Sequence, residues 1–271
     1  MTSGSLLELA GITKTYPGVT ALDEITLSVG RGEVLGLIGE NGAGKSTLMK
    51  ILGGIVAPTA GTIHIDGQAH AMFSVNQSMR AGIAFVHQEL NLFDNLDVAA
   101  NIGMGREPLS FGKLMLINRQ RLRDRVRPLL DRLGADFGPD TPVERLSIAQ
   151  RQLVEIAKAL SIDARIIIMD EPTSSLTLQE TERLLRVIAE LKADGVSIIY
   201  ISHRLGEVKA CADRVACLRD GRLVGELARE DIDHAAMIRL MIGRDLKSLY
   251  IPPAVEPRDG GCDLRAVVSQ G

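Results

Sequence analysis

The sequence contains no tryptophan, and aromatic residues make up only 3% of its 271 residues. No apolar run approaches the roughly 18 residues that a membrane-spanning helix requires, and the first five residues lack the character of a signal peptide. We therefore expect that this chain does not itself cross a membrane. The net charge of −3 carries no basic excess, so nucleic acid is not an expected partner.

Cysteine is also scarce, with three residues at Cys211, Cys217 and Cys262. Their number is odd and their spacing matches no metal site, so buried, reduced thiols in a cytosolic protein are expected. Hydrophobic residues at 45% and charged residues at 24% are ordinary for a globular protein. The length suits one large domain, or one domain with a subdomain.

What the sequence does have is a glycine-rich stretch between an apolar run and a helix-like run. It reads Gly39-Glu-Asn-Gly-Ala-Gly-Lys-Ser-Thr47, which matches the pattern Gly-x4-Gly-Lys-Ser/Thr. The glycines let the backbone curl so that several N–H groups point at one anion, and the following helix adds the positive end of its dipole. The stretch predicts a phosphate-binding loop for a Mg²⁺–nucleoside triphosphate.

The side chains of this loop have separate expected tasks. Lys45 is expected to reach the β- and γ-phosphates, the Ser46 hydroxyl to ligate Mg²⁺, and Thr47 to help hold the phosphates. The whole loop is a candidate nucleotide contact: Gly39, Glu40, Asn41, Gly42, Ala43, Gly44, Lys45, Ser46 and Thr47.

A second chemical motif follows four large apolar residues, Ile166 to Met169, which indicate a strand buried on both faces of a parallel sheet. Asp170 and Glu171 stand at its carboxyl end, the side on which ligands of parallel α/β sheets bind. We expect Asp170 to hold Mg²⁺ through a water molecule and Glu171 to act as general base. The alternative, a carboxylate pair that merely caps the next helix, is less favoured.

Two other residues have both an ordinary and a functional interpretation. Tyr16 precedes Pro17 and Gly18, and it is either a surface residue of a hairpin or a platform on which adenine stacks. His203 follows the strand predicted at Val196–Ile201, and it is either an ordinary hydrogen-bonded residue or a contact to the γ-phosphate or the attacking water. Spacing alone does not choose between these interpretations.

The remaining pattern predicts an α/β protein with a helical insertion. Residues 6–38 alternate short apolar and polar runs, which favours antiparallel strands. A helix capped by Asn118 is expected to run through Leu133, with Pro128 bending or restarting it. Its arginines are expected to form a solvated face rather than a nucleic-acid site: Arg119, Arg121, Arg123, Arg125 and Arg127.

Further helices are expected at Ile148–Leu160, Leu178–Lys192 and His234–Met241, and a hairpin around Asp220-Gly221.

Taken together, the motifs resemble those of the ATP-binding-cassette (ABC) ATPase family over roughly residues 6–244. This resemblance implies a P-loop NTPase with a mainly parallel, RecA-like core, an antiparallel β subdomain and a helical subdomain inserted at about residues 89–160. The family's A-loop, Walker A, Q-loop, signature, Walker B, D-loop and H-loop match, in that order, Tyr16, Gly39–Thr47, Gln88, Leu146–Gln150, Asp170–Glu171, Ser174–Thr177 and His203.

The resemblance also implies roles that spacing does not supply. Gln88 would sense the γ-phosphate and Mg²⁺ and relay the state of the site to a membrane partner, and His203 would be the switch histidine. Ser147 of the signature would contact the ATP of a second cassette. The implied cofactors are ATP and Mg²⁺.

The sequence departs from the common family pattern at two motifs. Leu146-Ser-Ile-Ala-Gln150 stands where Leu-Ser-Gly-Gly-Gln is usual, and the D-loop ends in Thr177 where many relatives have aspartate. Because the signature of one cassette closes over the Walker A loop of another, the first change concerns the partner's site. These features look like the first cassette of the double-cassette ATPases of bacterial monosaccharide importers, as do three other segments, His87–Leu92, Asn101–Glu107 and Met241–Asp245.

By this similarity, residues 1–244 would form a cassette, and residues 245–271 a linker and the start of a truncated second cassette. The chain would hydrolyse ATP to power monosaccharide import at the cytoplasmic face of the bacterial inner membrane, as a peripheral subunit. Its implied partners are a second cassette, membrane permease subunits and, indirectly, a sugar-binding protein. Two other classes stay open: a soluble ABC ATPase acting on ribosomes or DNA, and a regulatory nucleotide-binding module with little turnover.

Overall fold

The computed structural model describes residues 5–70, 73–87, 90–110 and 116–243. The predictions for the linker and the start of a second cassette, residues 245–271, lie outside these residues. The strands are β1 (Ser5–Tyr16), β2 (Val19–Gly30), β3 (Val34–Ile38), β4 (Ala60–Ile65), β5 (Gln68–His70), β6 (Ile83–Val86), β7 (Leu109–Ser110), β8 (Leu116–Ile117), β9 (Ile166–Asp170), β10 (Ser197–Ile201), β11 (Arg214–Arg219) and β12 (Arg222–Ala228).

Helices connect and cover these strands. They are α1 (Lys45–Leu52), α2 (Val75–Arg80), α3 (Val98–Gly103), α4 (Arg119–Arg132), α5 (Ile148–Leu160), α6 (Leu178–Ala193), α7 (Leu205–Cys211) and α8 (His234–Ile242), with short 3₁₀ turns at Val143–Arg145 and Arg229–Asp231.

A six-stranded sheet in the order β12-β11-β3-β10-β9-β6 carries the candidate site. Its neighbouring strands are parallel except for the terminal β11–β12 hairpin. All five residues of β3 and of β10 are buried, which explains why these strands read as continuous apolar runs. The predicted parallel core is confirmed.

Alternate residues of β9 serve two separate apolar clusters. Ile166 and Ile168 pack with α1 and with an antiparallel four-stranded sheet in the order β2-β1-β4-β5. Ile167 and Met169 pack on the opposite face with the other helices. The sheet is therefore held between an antiparallel β layer and a helical layer, and its carboxyl edge stays open.

Helices α3, α4 and α5 form the helical insertion. The Asn118 side chain accepts a hydrogen bond from the Arg121 amide at 2.9 Å, so α4 begins where the sequence predicts. The helix passes through Pro128 without restarting, because Leu122, Val126 and Leu130 anchor both of its halves in one core. Its five predicted surface arginines are exposed or partly exposed.

None of the helices in the described part of the chain combines the length and the apolar character needed to span a membrane.

Both described cysteines are shielded rather than paired. Burial raises the pKa of the Cys211 thiol to about 12 and that of Cys217 to about 11. The third cysteine, Cys262, lies outside the described residues.

Candidate functional site

The loop between β3 and α1 has the backbone that its glycines predict. Gly39, Gly42 and Gly44 have φ angles of 151°, 84° and 105°, a region that L side chains rarely adopt. A Cβ on Gly44 would also lie 2.7 Å from Leu22 Cδ2 and 2.8 Å from the Ala21 carbonyl oxygen. Glycine is thus required at Gly44 for both conformation and space.

Lys45 begins α1 and folds back over its own loop. Its Nζ donates to the carbonyl oxygens of Gly39 at 2.6 Å and Glu40 at 2.9 Å. Burial lowers the pKa of Lys45, while the nearby charges of Glu171 and Asp170 act in the opposite direction. The ammonium group therefore lies within electrostatic reach of both carboxylates.

The loop and the two carboxylates line one open cavity of about 400 Å³. Pairing of Asp170 with Ile201 and of Ile201 with Leu37 aligns the ends of three parallel strands, which brings this motif beside the loop. The lining residues are Ala21, Asn41, Gly42, Ala43, Gly44, Lys45, Ser46, Thr47, Asp170 and Glu171.

The two carboxylates differ in their surroundings. Burial, and then the adjacent charge of Glu171, raise the pKa of Asp170. Glu171 has a φ of 47°, an uncommon value for a residue other than glycine. Its amide donates to the Ile201 carbonyl oxygen at 2.9 Å, which fixes the turn that follows β9.

His203 contacts Glu171, one of the residues that line this cavity. Its Nδ1 lies 3.0 Å from Glu171 Oε1, and 64% of its side chain is exposed to solvent. The predicted base and the predicted switch histidine are thus in direct contact, although they are 32 positions apart in the chain.

Several predicted site residues do not line this cavity: Gly39 and Glu40 at the start of the loop, His203, Tyr16 and Ser147. Tyr16 is 39% exposed at the end of β1, and the Nζ of Lys14 lies 5.0 Å from the centroid of its ring. Ser147 caps α5 and lines a separate cavity of about 120 Å³. Gln88 lies outside the described residues.

A larger groove of about 510 Å³ runs beside the cavity and shares Ser46 and Asp170 with it. Sequence reasoning did not identify this groove, because it is formed where α1, α2 and α5 meet. The side chains along it include several exposed apolar residues, Ile55, Val75, Met79 and Met104.

Sequence reasoning also missed the contacts behind Glu171 and His203. The Glu207 carboxylate there accepts hydrogen bonds from Thr173 and Tyr200. The sequence offers one indication, since Glu207 is four residues after His203 in the first turn of a helix.

A family model described as ABC transporter matches residues 22–174, more than half of the chain. The chain belongs to the ABC transporter family. This membership agrees with the fold and with the alignment of the phosphate loop beside Asp170 and Glu171.

Among curated members of the family, the arabinose import ATP-binding protein AraG 2 of Burkholderia thailandensis is 47% identical over 98% of this chain and 50% of its own length. The putative ribose/galactose/methyl galactoside import ATP-binding protein 1 of Agrobacterium fabrum is 49% identical over 94% of this chain and 50% of its own length. The chain thus spans about half the length of these relatives.

A solved structure also matches the fold. It is the dimeric, post-hydrolysis state of an ABC cassette bound to ADP and phosphate, 26% identical, with a TM-score of 0.69. The match covers 82% of this chain and 98% of that one.

Proposed function

We propose that this ABC family member binds Mg²⁺–ATP and hydrolyses it, and that the protein containing it powers monosaccharide import through membrane subunits. One observation carries the proposal: a single cavity is lined by the phosphate loop and by both Asp170 and Glu171. The named relatives are import ATP-binding proteins for arabinose, ribose and galactose, which supports the choice of transported substrate.

The residues of the cavity fit a magnesium nucleotide. Glycines with positive φ angles allow the loop amides to face one anion, and Lys45 adds a cation that can leave its two carbonyl partners. The Ser46 hydroxyl and the Asp170 carboxylate are the oxygen ligands that Mg²⁺ prefers. Gln88 is the third ligand that we propose.

Hydrolysis requires a base and a means of orienting it. We assign the base to Glu171, which can accept a proton from the attacking water, and the orienting role to His203 at 3.0 Å from it. When bound, Mg²⁺ would neutralise charge that develops on the phosphates. Lys45 would stabilise the same charge from the loop side.

Ser147 fits the site of a second cassette better than its own. Its hydroxyl accepts a hydrogen bond from the Gln150 amide, and the hydroxyl proton remains to be donated to a ligand. The dimeric relative with ADP and phosphate supports a paired arrangement of cassettes. Tyr16, exposed at the end of its hairpin, remains our proposed adenine platform.

The groove beside the cavity supports contact with a membrane subunit. Its rim exposes Ile55, Val75 and Met79, and contiguous exposed apolar surface is typical of protein–protein contacts. Because the groove shares Ser46 and Asp170 with the ATP cavity, a segment seated there would respond to the nucleotide. We propose a peripheral position at the cytoplasmic face of the inner membrane, with sugar specificity held by other subunits.

The test is sugar uptake by vesicles that contain the complete protein with its membrane subunits and sugar-binding protein. Labelled arabinose, ribose and galactose are supplied with and without internal ATP. We expect ATP-dependent uptake of at least one sugar, lost in the variant Lys45→Ala together with binding of a fluorescent ATP analogue. Lys209→Ala is the matched control, since Lys209 is an exposed lysine on α7.

Other outcomes separate the competing functions. Binding of ATP with neither uptake nor hydrolysis favours the regulatory module. Ribosomal proteins that co-purify in place of membrane subunits overturn the transport function.

A further inference from the structure

A cluster of polar side chains lies behind the contact between Glu171 and His203. Its centre is the Glu207 carboxylate, whose Oε2 accepts hydrogen bonds from Thr173 Oγ1 at 2.6 Å and from Tyr200 OH at 2.8 Å. A third hydroxyl, that of Ser202, lies 3.4 Å from the same oxygen. Arg204 Nη1 lies 3.3 Å from the other carboxylate oxygen.

The members of this Glu207 cluster are nearly all buried. Tyr200 is fully buried, Thr173 and Ser202 are 1% and 4% exposed, and the side chain of Glu207 is 11% exposed. Burial and the negative charge of Glu207 raise the pKa of the Tyr200 phenol, which therefore stays a hydrogen-bond donor. A buried carboxylate with several donors has one preferred geometry, so it fixes the groups around it.

The donors belong to the two chain segments that carry the proposed catalytic groups. Thr173 follows Glu171 by two residues, and Ser202 directly precedes His203. Arg204 also connects these two segments. Its Nη2 donates a hydrogen bond to the Ser174 carbonyl oxygen at 3.4 Å, and its amide donates one to Ser202 Oγ at 3.0 Å.

We propose that Glu207 is a positioning residue for ATP hydrolysis, holding the segments of Glu171 and His203 at the spacing that brings these two side chains together. Glu207 is not among the residues that line the ATP cavity, so it acts through its neighbours. The proposal rests on the proposed ATPase function. Displacement of a catalytic group by about 1 Å can reduce turnover by about 10²-fold.

A purely structural role makes a different prediction, and Glu33 provides the comparison. Its carboxylate is similarly shielded, at 17% exposed, and accepts from Arg214 Nε at 2.9 Å and from the Gly30 amide. It stands before β3, at the opposite end of the strand from the phosphate loop. Loss of its charge should weaken the fold without moving Glu171 or His203.

The experiment measures the ATPase rate of the complete transporter against ATP concentration, together with the melting temperature of each variant. We expect Glu207→Ala to lower kcat by about 10²-fold while KM for ATP changes by less than about threefold. Glu207→Gln keeps an acceptor for Thr173 and Tyr200 and should recover about tenfold of that loss. Glu33→Gln should lower the melting temperature and leave kcat within about twofold of the wild type.

The outcomes separate this proposal from the function on which it rests. Absence of wild-type ATPase activity overturns both. Normal wild-type activity with an unchanged kcat in Glu207→Ala, or an equal loss of kcat in Glu33→Gln, overturns the positioning role alone. Should Glu207→Ala not fold, Tyr200→Phe decides: a kcat lowered about threefold or more at constant KM supports the role, and an unchanged kcat overturns it.

Discussion

Two segments of this chain precede helices and are proposed to meet ATP, and their backbones are arranged differently. The phosphate loop ends at Gly44, which gives α1 no side-chain cap. In the signature segment, Ser147 caps α5: its hydroxyl accepts from the Gln150 amide, and the Gln150 side chain accepts from the Ser147 amide. The first amides of α1 therefore lack a side-chain acceptor of the kind that α5 has.

The difference fits the separate tasks that we propose for the two segments. A loop that must surround phosphates leaves its backbone donors open and places glycine where left-handed φ angles are required. The signature segment has Ile148 and Ala149 in the first turn of a regular helix. Its Ser147 caps α5, and under the proposed function its hydroxyl and the exposed Ile148 would face a partner cassette.

The largest expected effect is on the rate of ATP hydrolysis at the chain's own cavity, as distinct from the affinity for ATP. Glu171→Gln should lower ATP turnover by about 10²–10⁴-fold, on the order of 3–5 kcal/mol of barrier, because the amide cannot accept the proton of the attacking water. ATP binding should stay close to that of the wild type. Steady-state ATPase assays and nucleotide titrations of the same preparation test this.

The control for that variant is Glu182→Gln, which removes an exposed carboxylate from α6. Equal turnover in Glu171→Gln and the wild type would remove Glu171 from the role of base.

The next effect tests the phosphate-loop side of the comparison. Gly44→Ala should weaken ATP binding by about 10–10²-fold, because a side chain at a φ of 105° is strained and its Cβ meets Leu22 and Ala21. Gly138→Ala is the control, since Gly138 has neither a left-handed φ nor a neighbour near its added Cβ. Equal affinities in the two variants would contradict the account of the loop.

The smallest effect tests the signature side. Ser147→Ala removes the cap of α5 and should cost about 1 kcal/mol of unfolding free energy, or about 2–4 °C in melting temperature. ATP affinity at the chain's own loop should not change, whereas turnover in the assembled transporter should fall.

Asn118→Ala removes the comparable cap of α4 and should match Ser147→Ala in stability, with turnover unchanged. A loss of own-site ATP affinity in Ser147→Ala would contradict the division between the two segments.

Local features of the sequence were enough to predict most secondary structure and most of the residues that line the phosphate cavity, although not Ala21. The helix Ile148–Leu160 has the predicted bounds, and the strand predicted at Ile166 to Met169 extends one residue further, to Asp170, because apolar periodicity and capping residues are encoded within a few positions. The sequence left open whether Pro128 bends or restarts α4; the single helix follows from packing with α3 and α5, which local features do not encode.

The contacts that refine the site depend on residues far apart in the chain. The approach of Ala21 to Gly44 and the groove formed by α1, α2 and α5 are set by tertiary packing, which sequence spacing does not reveal. The same holds for the Glu207 cluster, in which the Glu207 carboxylate accepts a hydrogen bond from Thr173, 34 positions earlier in the chain. These contacts follow from the strand order of the sheet and were visible only in the fold.

The most direct test of the central claim, that the phosphate loop and the Asp170–Glu171 pair form one Mg²⁺–ATP site, is a calorimetric titration of ATP into this chain with and without Mg²⁺. Wild type should bind one ATP, more tightly with Mg²⁺, and Asp170→Asn should lose most of that difference while still binding nucleotide. Absence of ATP binding, or the same dependence on Mg²⁺ in Asp170→Asn and wild type, would contradict the claim.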